Sequence, residues 1–406
     1  MIIKHYFIKH TSLVIIIIGA FTLFLTNILL KKVLSPTAYG EYSIYITYFQ
    51  LLSSFGLLGF EQVFLRISEV KTRGVIQTDK ALFILLVWIW ILFGFAGSFI
   101  FKHYFSEITL PYLYFLIGTL AVTFSMFVYN AFRLDSEFIS SQVMNNLWKI
   151  ALFLLGMVFL FKGISSVDIF VKIFTYLLCF VLLFQLIFTS KKVKFVFLQK
   201  ESLKNLNLYA FHFFISLFTL TIIGYADRFI IKGAFGAEAL GEYFFLATVF
   251  FFPYTLIQSY IGFKELVTFK KQASLAFLNK KLFRITALGV VLGVIILLAS
   301  VLINKLGIFP YISIKENFLL VMIFILTGIV KLNYSLFSAL LGAKGEINTI
   351  KNANIQSFIF ILIIGAISYP FFESVEVIAL AFLLFWVSRT LIWQRNIVKQ
   401  FKTNLP

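Results

Sequence analysis

Long apolar runs recur along the whole chain, and they limit the possible folds more than any other feature. The hydrocarbon layer of a membrane is about 30 Å thick, so a spanning helix needs roughly 20 mostly apolar residues. The runs are continuous, whereas barrel strands alternate over about 10 residues. Because 61% of the residues are hydrophobic and only 13% are charged, a soluble globule is also excluded. The sequence predicts an all-α integral membrane protein.

The apolar runs and the charges between them predict twelve spans with both termini in the cytoplasm. The segments on the N-terminal side, including the C-terminal end from Arg389, hold 24 Lys and Arg residues, whereas the opposite loops hold eight. An excess of basic residues marks the cytoplasmic side. Trp148 and Trp393 are expected in the inner interfacial belt. The predicted spans are 11–30, 43–65, 81–101, 110–132, 143–161, 167–189, 208–230, 239–262, 284–304, 317–341, 351–369 and 374–394.

A repeated tripeptide divides the chain into two halves. Gly-Glu-Tyr starts at Gly40 and again at Gly241, 201 residues later in a chain of 406. Each copy follows a short Gly-bearing connector and precedes about 20 mostly apolar residues, which indicates a duplicated module. Two six-span modules in the same orientation are typical of transporters with a cavity between the halves. We predict an N-terminal lobe over 1–195, a cytoplasmic linker over 196–207 and a C-terminal lobe over 208–406.

Three residues have predicted structural roles in these spans. We expect Gly40 and Gly241 to allow tight turns before the second helix of each half. Pro253 lies in the middle of the eighth predicted span, where a missing backbone N–H kinks a helix. The segment 264–284 mixes leucines with lysines in an amphipathic interfacial pattern, or is a plain solvated loop.

Motifs for catalysis, metal binding or nucleotide binding are absent from the sequence. The four histidines, His5, His10, His103 and His212, are scattered and have no partner cysteine at metal-ligand spacing. No Gly-rich phosphate loop is present, so we expect no cofactor and no metal. The net charge of +18 lies mostly in the predicted cytoplasmic loops, where it sets topology and meets anionic membrane lipids. Nucleic acid is not an expected partner.

Stretches in both halves resemble a known family. The first half reads LSPTAYGEYS from Leu34 and LLSSFGLLGF from Leu51, followed by Arg66. The second half reads YADRFII from Tyr225 and then LGEY from Leu240. These stretches resemble the polysaccharide biosynthesis membrane proteins, which form the O-antigen flippase (Wzx-like) branch of the multidrug/oligosaccharidyl-lipid/polysaccharide (MOP) exporter superfamily. The resemblance covers essentially the full chain.

The resemblance implies a transporter and not an enzyme. It implies that an undecaprenyl-pyrophosphate-linked oligosaccharide, an O-antigen or capsule repeat unit, moves from the inner to the outer leaflet of the bacterial inner (cytoplasmic) membrane by alternating access. An O-antigen polymerase and a chain-length regulator are the expected partners. One alternative is a membrane glycosyltransferase or polymerase, which the absence of a large external loop disfavours. Another is a multidrug-type exporter of small molecules, which is expected to place more carboxylates than lysines inside its spans.

Charged residues inside the spans are the default candidates for a substrate or ion pathway. A sugar-pyrophosphate headgroup needs cations for its phosphates and aromatic or hydrogen-bonding surfaces for its sugars. Lys331 is the best candidate, because it lies 14 residues beyond the outer end of its span at Asn317, about 21 Å along a helix. The resemblance makes Asp227 a candidate proton or sodium site, with Arg228 beside it.

Five further residues complete the set of candidates. Glu61 and Arg66 close the second predicted span and form either a gate or an interfacial pair. Asn27 is a buried polar residue of the first span, which either joins helices or binds a ligand. Lys149 and Lys172 lie near the ends of their spans, so we expect them to extend to the lipid headgroups.

Overall fold

The computed structural model describes residues 2–71, 75–104, 111–192, 196–198, 203–272, 274–307 and 312–403. Nearly all of these residues are helical, as the apolar runs predict. The α-helices are α1 (Ile2–Val33), α2 (Pro36–Phe55), α3 (Phe60–Ile67), α4 (Lys80–Tyr104), α5 (Tyr112–Leu134), α6 (Phe138–Lys162), α7 (Val167–Lys192), α8 (Leu203–Lys271), α9 (Leu275–Leu306), α10 (Phe318–Lys344), α11 (Ile347–Ser368) and α12 (Val375–Thr403).

Ten of the described helices are long and apolar enough to cross a membrane. One of them is α8, whose apolar stretch from Phe213 to Gly262 covers 50 residues, about 75 Å of helix and therefore enough for two crossings. Gly236 breaks α8 in two, with φ 84° and ψ −178°. The predicted span 43–65 corresponds to α2 and α3 together, so every predicted span has a helix.

The second predicted span is interrupted. Its helix begins at Pro36, where the Ser35 side chain accepts a hydrogen bond from the backbone N–H of Ala38 at 3.3 Å. Between α2 and α3 the chain passes through left-handed conformations at Leu58 (φ 51°) and Gly59 (φ 85°). A side chain at position 59 would lie 2.6 Å from the carbonyl oxygen of Ala210, so this close approach requires glycine.

The expected turns at Gly40 and Gly241 are wrong. Both glycines lie inside helices, Gly40 in α2 and Gly241 in α8. The chain changes direction earlier, at Ser35 and at Gly236, and the left-handed φ of Gly236 is the one that favours glycine. Pro253 also lies inside α8, where Gly236 alone has non-helical dihedral angles.

A small three-stranded sheet was not predicted. Strand β1 (Glu69–Lys71) pairs antiparallel with β2 (Val75–Asp79), and β2 pairs parallel with β3 (Val196–Leu198). In the register, Glu69 lies opposite Gln77, and Gln77 lies opposite Val196. Strands of three to five residues are too short to show an alternating pattern, so the sequence predicts a loop and the linker at these positions.

The chain forms two compact units, which we call the first lobe (1–221) and the second lobe (222–406). In the first lobe residues 42–49 of α2 are buried on every side, and the side chains of Tyr39, Tyr42, Tyr45 and Phe49 are wholly buried. In the second lobe α10 is the most enclosed helix, with buried residues from Leu320 to Leu341. A helix that is buried all round forms the core of its unit.

The predicted interfacial segment 264–284 consists of the ends of two long helices. α8 continues to Lys271, and α9 begins at Leu275 after the N-cap Ser274. A salt bridge of 2.6 Å between Lys281 and Glu265 joins the two helix ends. The segment is therefore mostly helical and not a plain solvated loop, with Phe269 and Leu278 buried, while its interfacial position stays a prediction.

Candidate functional site

Asp227 and Tyr243 meet inside the second lobe, although 16 residues separate them in α8. The break at Gly236 lies between them and allows the two parts of the helix to pack side by side. The Tyr243 hydroxyl donates a hydrogen bond to Oδ2 of Asp227. The Asp227 side chain is only 7% exposed, and its Oδ1 has no hydrogen-bond partner among the described residues. This leaves a buried carboxylate with spare acceptor capacity.

Arg228 is enclosed by aromatic rings. Its guanidinium carbon lies 5.2 Å from the centre of the Tyr225 ring and 4.9 Å from that of Phe244. Adjacent residues of a helix point in different directions, so Arg228 and Asp227 contact different neighbours. Their charges are nevertheless close enough to interact.

Lys331 lies on α10 between two aromatic rings. Its ammonium nitrogen is 5.1 Å from the centre of the Phe251 ring and 5.0 Å from that of Trp386. The negative faces of the rings attract a cation at this distance. The Lys331 ammonium forms no hydrogen bond or ion pair with a described residue, although the charges of Arg228 and Asp227 are close enough to act on it. Its N–H donors therefore remain available.

Arg389 is a buried cation that the sequence analysis assigned to the cytoplasm. Its side chain is 0% exposed, and its guanidinium carbon lies 5.2 Å from the ring centres of both Tyr334 and Trp393. The structure instead encloses Arg389 in the middle of α12, so it is not a solvated charge of the C-terminal end. The sequence did carry a signal, since Trp386, Arg389 and Trp393 are spaced three and four residues apart and share one helix face.

Aromatic rings connect Lys331 to Arg389. The Trp386 ring contacts Lys331 and lies 5.5 Å from the Tyr334 ring, which in turn contacts Arg389 and lies 5.2 Å from Trp393. The contacts advance in the same direction along α10 and α12, so these helices run parallel. We call Arg228, Lys331 and Arg389 the second-lobe cations.

An acidic pocket of about 360 Å³ lies beside Tyr243 in the second lobe. Its lining includes the carboxylates of Glu242, Glu373 and Glu376. Oε1 of Glu242 accepts a hydrogen bond from the Ser313 hydroxyl at 3.1 Å. Carboxylates in such a pocket attract cations, so this part of the lobe has the opposite electrostatic character to the second-lobe cations.

Two candidates of the first lobe, Asn27 and Lys149, form hydrogen bonds with other side chains of that lobe. Oδ1 of Asn27 accepts a hydrogen bond of 2.7 Å from the Tyr42 hydroxyl, which joins α1 to α2. The Lys149 ammonium donates to Oδ1 of Asn146 at 2.9 Å. A side chain at Gly19 would lie 2.1 Å from that same oxygen, so Lys149 lies near the close contact of α1 with α6 and does not extend outward.

The remaining candidates do not join a common site. Glu61 is 0% exposed and forms no ion pair with a described residue, whereas Arg66 is exposed on the same short helix. The two therefore do not form the interfacial pair considered from the sequence. Lys172 is exposed on α7. Trp148 and Trp393 are 1% and 5% exposed, so both pack inside the protein and not in an exposed interfacial belt.

The fold is shared with solved structures of membrane transporters. A structure of the MATE multidrug transporter DinF-BH with a bound ligand matches with a TM-score of 0.59 and 13% identity, over 98% of this chain and 95% of that one. A crystal structure of the eukaryotic MATE transporter AtDTX14 matches with a TM-score of 0.51 and 12% identity, over 99% and 98%. The protein is thus an α-helical, multi-pass membrane protein with the fold of the MATE transporters.

The family follows from the sequence match. The model of the family described as "Polysaccharide biosynthesis protein" matches residues 10–263. The chain therefore belongs to the polysaccharide biosynthesis protein family. No curated protein sequence is significantly similar to it.

Proposed function

We propose that the protein is a flippase, a transporter and not an enzyme, for an undecaprenyl-pyrophosphate-linked oligosaccharide. The substrate is an O-antigen or capsule repeat unit, and it moves from the inner to the outer leaflet of a bacterial cytoplasmic membrane by alternating access. An O-antigen polymerase and a chain-length regulator would receive the product. Membership of the polysaccharide biosynthesis family supports this proposal.

The observation that carries the proposal is the environment of Lys331. An ammonium group within a membrane helix is costly unless it has a function or a partner. The Lys331 ammonium has aromatic neighbours, but it forms no ion pair and no hydrogen bond with a described residue. A phosphate group of the substrate supplies the missing acceptor, and charge-assisted hydrogen bonds to phosphate are among the strongest in proteins.

The aromatic rings around the cations fit the other part of the headgroup. Phe251 and Trp386 present ring faces beside the Lys331 ammonium, and sugar rings pack their apolar faces against such surfaces. A headgroup with a phosphate at one end and sugars at the other therefore meets matching chemistry within one lobe. The lipid tail remains in the bilayer and needs no polar site.

The test is translocation in proteoliposomes that contain undecaprenyl-pyrophosphate oligosaccharide. A membrane-impermeant lectin reports how much oligosaccharide reaches the outer leaflet over time. We expect the wild type and Lys331→Arg to translocate, because both carry a cation at this position. We expect Lys331→Ala to fall to the rate of protein-free vesicles.

Lys344→Ala is the matched control, because Lys344 is an exposed lysine at the end of the same helix. It should translocate at the wild-type rate. Equal rates for Lys331→Ala and the wild type would contradict the role of Lys331. Longer glycan in the vesicles without movement between leaflets would identify a polymerase instead.

A specific observation favours a second function, the export of small organic cations. The acidic pocket and the spare oxygen of Asp227 are suited to a cation, not to a phosphate. Under this alternative, a fluorescent aromatic cation would be transported and Asp227→Asn would abolish its transport, whereas Lys331→Ala would leave it unchanged. The three second-lobe cations outnumber the single buried carboxylate beside them, and we therefore rank the flippase first.

A further inference from the structure

Arg389 is the most fully enclosed cation among the described residues of the second lobe. It lies 14 residues from the start of α12 at Val375, about 21 Å along the helix and thus at the middle of that helix. α10 contributes Tyr334, α11 contributes Asn354 and α12 contributes Trp393 to its surroundings. Its side chain is 0% exposed.

The donors of Arg389 are only partly used. Nη2 donates to the Tyr334 hydroxyl at 3.1 Å and to Oδ1 of Asn354 at 3.2 Å. Nε and Nη1 have no hydrogen-bond partner, and no carboxylate of the described residues forms an ion pair with the guanidinium. Arginine cannot lose its proton in a protein, so the charge remains.

An unpaired charge of this kind is unusual. Burying a charged group is costly unless it is paired and hydrogen-bonded. The ring faces of Tyr334 and Trp393 compensate part of that cost. These ring faces accept no hydrogen bond in the plane of the guanidinium, where the N–H bonds of Nε and Nη1 point. A planar fork with free donors is suited to the oxygens of a phosphate.

We propose that Arg389 is an anion site of the second lobe, and that it binds a phosphate group carried by a lipid. The assignment of this site to the pyrophosphate of the transported lipid rests on the proposed function. Lys331 and Arg389 would bind the phosphates one after the other as the lipid moves along α10 and α12. The rings of Trp386 and Tyr334 lie between the two cations along these helices.

The observed conformation encloses the guanidinium, so a lipid phosphate reaches it only after α12 separates from α10 or α11. A ligand that binds one conformation better shifts the population toward it. Occupancy of Arg389 therefore favours an open arrangement of these helices. This consequence connects phosphate binding to the conformational change that a transporter needs.

The experiment measures ligand binding to the full-length protein in detergent after removal of bound lipid. The probes are undecaprenyl pyrophosphate, undecaprenol as its phosphate-free counterpart, phosphatidylglycerol and inorganic pyrophosphate. Affinity is read from the concentration-dependent increase of the thermal unfolding midpoint. We expect undecaprenyl pyrophosphate to bind at least about tenfold more weakly to Arg389→Gln than to the wild type.

Two variants separate a binding role from a purely structural one. Arg395→Gln removes an exposed arginine from the same helix and should keep the wild-type affinity. Arg389→Met removes the charge but keeps an apolar side chain of similar length. If the charge is uncompensated without ligand, the ligand-free Arg389→Met protein unfolds at or above the wild-type temperature. A much lower midpoint would mean that Arg389 holds the helices together, and it would overturn the proposal.

The probes identify the source of the phosphate. Binding of undecaprenyl pyrophosphate that depends on Arg389 supports a substrate site, and binding of phosphatidylglycerol with the same dependence supports a site for a membrane phospholipid. Equal affinity of the wild type and Arg389→Gln for every probe overturns the proposal. If Arg389-dependent binding occurs but no oligosaccharide is translocated, the proposed function fails and the anion site stands.

Discussion

Corresponding tyrosines of the two lobes donate hydrogen bonds to acceptors of different charge. In the first lobe Tyr42 donates to the amide of Asn27, 15 residues earlier, and in the second lobe Tyr243 donates to the carboxylate of Asp227, 16 residues earlier. Both tyrosines end a Gly-Glu-Tyr tripeptide. The duplicated module has therefore kept the bond that joins neighbouring helical segments, while the second copy carries a charge there.

The charge in the second lobe is part of a larger difference. Arg228 and Lys331 are close enough to Asp227 for their charges to interact, whereas the Asn27 pair is neutral. The first lobe does contain Lys149, but that lysine is hydrogen-bonded to a neighbouring amide. This comparison indicates that the first lobe uses the shared bond for packing and that the second lobe uses it to hold a charged site.

The largest expected effect comes from making the second lobe resemble the first. Asp227→Asn keeps an acceptor for Tyr243 but removes the charge that faces Arg228 and Lys331. We expect transport in proteoliposomes to fall to the level of protein-free vesicles, while the protein still folds. Asp168→Asn in α7 is the control and should transport normally. Normal transport by Asp227→Asn would mean that the charge difference between the lobes has no functional role.

A packing contact should also differ between the lobes. A methyl group at Gly328 would lie 2.5 Å from the root of the Tyr254 ring, whose hydroxyl is bonded to the carbonyl of Gly289 at 2.9 Å. A methyl group at Gly118 would instead meet the tip of the Phe49 ring at 2.7 Å. We expect Gly328→Ala to lower the free energy of unfolding by about 3 kcal/mol and Gly118→Ala by about 1 kcal/mol.

Equilibrium unfolding in detergent measures both variants. Gly365→Ala is the control, because its new methyl group would meet only the Phe385 ring at 3.8 Å. That variant should be neutral or slightly stabilising, since alanine favours helices more than glycine does. An equal loss of unfolding free energy for Gly118→Ala and Gly328→Ala would show that the hydrogen bond from Tyr254 to Gly289 does not restrict the ring.

Removing the shared hydrogen bond should cost more in the second lobe. Tyr243→Phe leaves the buried Asp227 without its hydroxyl donor, and hydrogen bonds to charged groups are the stronger class. We expect a loss of about 2 kcal/mol for Tyr243→Phe and about 1 kcal/mol for Tyr42→Phe. The comparison is made by unfolding both variants under one set of conditions. A larger loss for Tyr42→Phe would reverse our assignment of the charged site to the second lobe.

The smallest effect should be the same in both lobes. Ser35 caps α2 with a hydrogen bond of 3.3 Å, and Ser274 caps α9 with one of 3.2 Å. Because the two caps have the same chemistry, we expect Ser35→Ala and Ser274→Ala each to cost about 1 kcal/mol of unfolding free energy. The thermal unfolding midpoints of the two variants measure both losses. A clear difference would show that general stability, and not local chemistry, separates the lobes.

The sequence predicted the helices because apolar runs of about 20 residues have few alternatives in a membrane. It did not predict the left-handed residues Leu58 and Gly59 or the strands at 69–71, 75–79 and 196–198, where only a few residues decide the local conformation. The depth of Lys331 in its span was visible from the sequence. Its aromatic neighbours Phe251 and Trp386 were not, because each lies on a different helix.

Arg389 shows a second limit of the sequence. Arg389 follows the last long apolar run of the chain, so the sequence grouped it with the basic residues of the C-terminal end. Hydropathy does not show where a helix ends once its residues become polar. The helical spacing of Trp386, Arg389 and Trp393 was the available signal. Asp227 could be singled out by resemblance, but its bond to Tyr243 depends on the break at Gly236, which a glycine alone does not specify.

The central claim is that the second-lobe cations select an anionic headgroup, and one measurement tests it most directly. Proteoliposomes with the wild-type protein receive undecaprenyl-pyrophosphate oligosaccharide and a small fluorescent aromatic cation together, and the rate of movement is measured for each. Our account predicts that the oligosaccharide lipid moves to the outer leaflet while the cation moves no faster than in protein-free vesicles. Transport of the cation alone would contradict the account.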